Sequence, residues 1–208
     1  MLVVLALLLV AVDVAARLTV ESQLRARLAR EVPQAQSVDV SVNSFPFLLR
    51  LLLAGDVTGV EGHVNELRTD RVTVARVAVD LHDVRVDRDA LLSDRQIELE
   101  SIGRGTASAE FTQPELTEAL GVPVVLTPGR FGVQIGGRTL SASVAVRGGS
   151  LVIGGVGITL PRLSVPKLPL LACDPSAEVL QGLVRLACDV DQVPQELLRD
   201  AQRQLRNA

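Results

Sequence analysis

Hydrophobic positions along this chain follow two different rhythms. Leu2 to Val12 is an unbroken apolar run, ended by Asp13. It is well short of the roughly 20 residues that a bilayer-spanning helix needs. Between residues 14 and 32, Leu24, Leu28 and Val32 recur every fourth position, with Arg25, Arg27, Arg30 and Glu31 on other faces. That spacing predicts an amphipathic helix, which Pro33 stops. Beyond it the period falls to two. Val38, Val40 and Val42 alternate with Asp39, Ser41 and Asn43, as in a half-buried strand.

Residues 45–55 fit neither rhythm. Phe45-Pro46-Phe47-Leu48-Leu49-Arg50-Leu51-Leu52-Leu53-Ala54-Gly55 predicts a short helix or a buried loop, closed by Gly55. Alternation then resumes through Val72/Val74, Val77/Val79/Leu81 and Val84/Val86, with phase slips at Ala75-Arg76 and His82-Asp83. Phase slips predict bulges, which bend and twist a strand. Ile97 and Leu99 read as a further strand that Gly103-Arg104-Gly105 breaks, and Ala107, Ala109 and Phe111 alternate again.

Thr112 and Glu115 have capping-box spacing, with Thr112 as N-cap, which predicts a helix of about nine residues to Leu120, stopped by Gly121. Strands are expected at 122–127, 130–135 and 139–146, with turns at Gly136-Gly137 and Gly148-Gly149. Residues 150–160 are apolar and glycine-rich. Residues 161–169 are a proline-rich connector, and residues 194–206 read as a last helix with Leu197, Leu198, Ala201 and Leu205 on its apolar side. The order predicts one α+β domain at 17–208, built on an antiparallel sheet and preceded by an apolar signal or anchor segment at 1–16.

Composition changes this picture little. The chain has 208 residues, is 48% hydrophobic and only 2% aromatic, and carries a net charge of −3. With no Trp or Tyr and no excess of positive charge, it lacks the stacking platforms and the basic field of a nucleic-acid binder. The apolar segment suits a signal-peptide core, with cleavage after Ala16; the alternatives are an uncleaved anchor helix or a buried N-terminal helix. Cys173 and Cys188 are the only cysteines. Their midpoint lies within one residue of Gln181-Gly182, so a disulfide across a hairpin is expected, the alternative being two buried thiols.

Catalytic patterns are missing. Gly148-Gly149-Ser150 does not complete a nucleophile elbow, Gly103-Arg104-Gly105 does not complete a dinucleotide loop, and His63 and His82 lack metal-ligand spacing. The carboxylate pairs Asp87/Asp89 and Asp189/Asp191 read as solvated strand ends. No enzyme activity, metal or cofactor is expected. The apolar surplus in 45–53 and 150–160 is the stronger signal, because a curved sheet with an aliphatic lining is how an acyl groove would be built. Phe45, Phe47, Leu48, Leu49, Arg50, Leu52 and Leu53 are the candidate lipid-binding residues. Arg50 would extend its charge from an apolar stem toward a lipid phosphate. An envelope scaffold that turns the same segment toward a membrane protein is the alternative.

Several stretches resemble the LmeA-like phospholipid-binding family of actinobacterial cell envelopes. They are the apolar segment leading into a helix, Ser44-Phe45-Pro46-Phe47-Leu48 followed by Gly55 and Val60, the block from Val72 to Leu92, and Cys173 to Cys188 leading to Val193-Pro194. The resemblance implies a periplasmic or membrane-associated protein that binds anionic phospholipids, including phosphatidylinositol-type lipids. It also implies a supporting role in lipomannan or lipoarabinomannan maturation, or in lipid transfer. The helix–sheet–helix order resembles the elongated tubular lipid-binding (TULIP-type) architecture, with a strongly curved sheet wrapped around N- and C-terminal helices.

Overall fold

The computed structural model describes residues 2–69, 72–93, 98–155, 161–164, 173, 175–196 and 198. Helix α1 (Leu2–Glu31) is continuous, so the apolar run and the amphipathic stretch form one rod. Thirty residues span about 45 Å at the α-helical rise. The chain then forms β1 (Ser37–Val42), α2 (Phe47–Ala54), β2 (Asp56–Arg68), β3 (Thr73–Val86), α3 (Arg88–Ser93) and β4 (Leu99–Thr112). Next come α4 (Gln113–Leu120), β5 (Val124–Thr127), β6 (Arg130–Ile135), β7 (Arg138–Arg147), β8 (Ser150–Gly154), β9 (Leu163–Ser164), β10 (Ser176–Leu180) and β11 (Leu183–Val190).

The result is a mixed α+β fold with two antiparallel sheets. The larger has the order β1-β2-β3-β4-β11-β10 and the smaller β5-β6-β7-β8-β9. The larger sheet is open, with β1 and β10 as its edges. Its first four strands follow chain order, whereas the β10–β11 hairpin returns from far along the chain to pair β11 with β4. Gln113 to Leu120 forms as its caps require. The Glu115 carboxylate accepts the Thr112 N–H at 2.7 Å, and Gly121 takes φ 68° to close the helix.

Both predicted phase slips appear in β3. Its buried residues are Val74, then Val77, then Val84 and Val86, so the inward parity changes twice. Two non-glycine residues at positive φ sit at the switches: Glu66 (φ 48°), between the pairs Asn65–Arg76 and Leu67–Val74, and Asp83 (φ 54°) itself. The change of register is elsewhere, between Arg85 and Val86 against β4. A correction concerns Gly103 and Gly105, which do not break a strand, because β4 runs straight through them. Gly103 is there for close approach: a Cβ on it would lie 2.8 Å from the Cβ of Asp83.

Two cores result. One lies between the sheets and α4, and its fully buried members include Phe111, Phe131, Leu116 and Leu151. Leu151 and Ile153 belong here, so the described part of the 150–160 stretch is ordinary core; 156–160 lie outside the described residues. The second core joins Val42, Phe47, Val57, Val84, Ile102, Cys188, Val193 and Leu198, with Ala16 and Val20 of α1 packed on it. Gln195, Glu196 and Leu198 are helical, and the remainder of the expected last helix lies outside the described residues.

The β10–β11 turn falls at Gln181-Gly182, and the Cys173–Cys188 disulfide bridges the hairpin with Cα atoms 6.0 Å apart. Cross-linking over 15 residues limits the unfolded chain by about 3 kcal/mol in the entropic picture. Replacing both cysteines with alanine is therefore expected to lower the urea-unfolding free energy by about 3 kcal/mol. Native protein should gain alkylation mass only after reduction; two reactive thiols without reductant would contradict the bridge.

Candidate functional site: an aliphatic groove between two helices

Helix α2 forms because Phe47 to Ala54 contains no breaker and Gly55 supplies the left-handed closing residue (φ 66°). A side chain at Gly55 would meet the Val86 carbonyl, since a Cβ there would lie 2.7 Å from that oxygen. The N-terminal end is more unusual. Its cap position is Pro46, which has no side-chain acceptor for the first amides. A distant residue satisfies them instead. Asp13, where the apolar run of α1 ends, accepts the Phe47 N–H at 2.9 Å and the Leu48 N–H at 2.6 Å, one on each oxygen.

Asp13 is 6% exposed, so the carboxylate is taken out of water against the positive end of a helix dipole. At the other end of α2 the Arg88 guanidinium donates to the Leu53 carbonyl at 3.0 Å. Negative charge at the N-terminus and positive at the C-terminus both oppose the dipole. This eight-residue helix, too short to persist alone, is thereby pinned at each end.

The face of α1 that packs on the body is Asp13, Ala16, Arg17, Val20, Glu21 and Leu24. Glu21 accepts the Val42 N–H at 2.8 Å where β1 ends, and Arg25 pairs with Asp39 at 3.7 Å. The predicted stripe is thus only partly the contact face: Leu24 is half-buried, whereas Leu28 is exposed. Beyond this face, residues 7–12 of α1 are exposed. Eight exposed large apolar residues lie on α1 and four more on 45–53, out of 14 among the described residues. A contiguous exposed apolar patch marks a lipid or protein contact.

Where the two helices meet, the patch deepens into a groove of about 380 Å³. Phe45, Pro46, Leu48, Leu49, Leu52 and Leu53 form one wall, and Leu9, Val10 and Val12 form the other, with Asp13 between them. Asp13 is the single charged residue in this lining, and its oxygens already hold two amides.

Five of the seven lipid-binding candidates therefore meet in one place: Phe45, Leu48, Leu49, Leu52 and Leu53. The other two point elsewhere. Phe47 is 3% exposed and belongs to the second core. Arg50 pairs with Asp56 through Nε at 3.1 Å and also through Nη2, and Asp56's hydrogen bond and charge raise its already high pKa. The Arg50 side chain is 41% exposed, so it remains a cation beside the patch, with one carboxylate attached. Leu9, Val10, Val12 and Asp13 escaped the sequence reading. The signal that pointed to them was a carboxylate directly after an 11-residue apolar run, together with a second helix that lacks its own cap.

The carboxylate pairs serve local structure. Asp87 accepts the Asp89 and Ala90 N–H groups at 2.9 and 3.0 Å to start α3, and Asp189 accepts the Thr106 hydroxyl at 2.9 Å. Among the described residues no group of three or more His, Cys, Asp or Glu side chains could hold a metal ion. Among the same residues no helix is long and apolar enough to cross a membrane.

Asp13→Ala would leave two amides without an acceptor in an apolar seam, at about 1–3 kcal/mol for each unsatisfied donor. Asp13→Asn keeps one acceptor oxygen and should fall between the wild type and Asp13→Ala. Hydrogen exchange at the Phe47 and Leu48 amides measures this directly. Wild-type protection in Asp13→Ala would mean that something other than Asp13 holds α2.

Comparison with known proteins agrees with the geometry. No curated protein and no solved structure matches the chain. A family model described as LmeA-like phospholipid-binding matches residues 11–206, a span that starts within α1 and includes both helices of the groove from residue 11 onward. The chain is a member of the LmeA-like phospholipid-binding family.

Proposed function

We propose that this protein is a non-enzymatic phospholipid binder of the cell envelope, working at the membrane surface on the periplasmic side. The apolar length of α1 would hold it there, and the α1–α2 groove would receive lipid. The observation that carries this reading is the open aliphatic groove, whose one charged lining residue is buried and bonded to two amides of α2. Such a surface offers an acyl chain dispersion and dehydration but offers a polar metabolite no partner.

Anionic headgroups, phosphatidylinositol-type lipids among them, are the proposed preference. Arg50 and Arg88 support it, being cations beside α2 that stay partly or fully exposed while bonded to Asp56 and to Leu53. Support of lipomannan or lipoarabinomannan maturation, by presenting or transferring lipid, is proposed in the same sense. So is an elongated tubular lipid-binding architecture, for which the long open sheet speaks.

Vesicle co-sedimentation tests the reading. The protein should bind phosphatidylglycerol vesicles more strongly than phosphatidylcholine vesicles, and the difference should shrink as salt screens the exposed charges. Leu49→Asp with Leu52→Asp should cut binding about tenfold or more, since a buried Leu contributes about 1.5–3 kcal/mol. Both side chains are exposed, at 56% and 43%, so the fold should survive. Unchanged vesicle binding by the double variant would remove the groove from the reading. Absence of vesicle binding by the wild type would favour a protein partner on the same patch.

A further inference from the structure

The groove has a measurable capacity, and capacity limits what it can hold. A cavity of roughly 150 Å³ takes the six carbons of benzene, so an apolar site needs roughly 25 Å³ for each carbon. The 380 Å³ between α1 and α2 therefore holds about 15 carbons. That is one acyl chain. The two chains of an ordinary phospholipid need about twice that space.

The lining is consistent with a single chain throughout. Leu9, Val10 and Val12 face Phe45, Leu48, Leu49 and Leu52 with aliphatic or aromatic carbon. Asp13 is 6% exposed and each of its oxygens accepts an amide of α2, so it is committed to that helix and has no proton to donate to a headgroup. A phosphate would also be repelled by the buried carboxylate. A headgroup therefore belongs outside the groove, and the part of the ligand that enters is hydrocarbon.

We infer that the α1–α2 groove is a one-chain acyl site that discriminates ligands by chain length, up to a limit near 15 carbons, and leaves the second chain of a diacyl lipid outside. This rests on the lipid-binding reading above and adds stoichiometry and a length cut-off to it. Each methylene that is fully buried is worth about 0.8 kcal/mol, a factor of roughly four in affinity. In a groove open along one side, about half of that is realised, so the expected gain is about twofold for each methylene.

The test uses saturated lysophosphatidylcholines, with chains from about 8 to about 18 carbons, displacing a fluorescent fatty acid from the full chain. Affinity should climb about twofold per methylene, then level off near 15 carbons, at one ligand per protein. Val12→Phe places a ring on an exposed wall position and should move the plateau to chains about two carbons shorter. A climb that continues through the longest chain, two ligands per protein, or a plateau unmoved by Val12→Phe would each overturn the one-chain site. If vesicles bind but the lysolipids show no plateau, the length limit falls and lipid binding stands. If neither ligand binds, both fall.

Discussion

Two hydrogen bonds accepted by Asp13 hold the two helices of the groove in place. Helix α2 begins at a proline cap and is eight residues long, so neither its own cap nor its length would keep it folded. The carboxylate from α1 supplies the missing acceptors for Phe47 and Leu48. The same bonds fix the angle and separation of the helices, and so the width of the space between them. A charge in an apolar seam would ordinarily be costly. Here the helix dipole and two amides offset that cost, which makes the contact specific: it forms only when the start of α2 lies against the middle of α1.

The rest of the molecule serves as backing for this arrangement. Phe47 and Leu51 turn inward onto the second core, where Val57, Val84 and Ile102 of the large sheet receive them. Cys188 lies in the same core, so the disulfide steadies the floor beneath α2. Helix α2 is therefore divided by its own periodicity. One side is committed to the sheet, and the other carries Leu49, Leu52 and Leu53 outward. The separate core between the sheets and α4 does not reach the groove, and truncating a residue such as Phe111 there would cost about 3–5 kcal/mol without changing the groove's lining.

Much of this was legible in the sequence wherever the governing rule is local. The Val38, Val40 and Val42 alternation, the paired glycines of the hairpins, the Thr112–Glu115 capping box and the cysteine spacing each depend on a few neighbouring residues. The parity switches of β3 were legible because burial must follow side-chain direction. Contacts across long sequence gaps were not. Nothing near Pro46 shows that its helix is capped from 34 residues upstream. Gly103 and Gly105 read as breakers because the reason for Gly103, the crossing at Asp83, lies on another strand. Leu151 and Ile153 looked like surplus because the sheet that covers them could not be inferred from their own segment. Arg50 is the exception: its partner, Asp56, is only six residues on, but it lies past the glycine that ends the helix and so outside the helical spacing.

The continuity of α1 has a consequence for the life history of the chain. A cut after Ala16 would release a fragment that contains Leu9, Val10, Val12 and Asp13. One wall of the groove and the acceptor for α2 would leave together. Loss of residues 1–16 and an intact groove are therefore mutually exclusive.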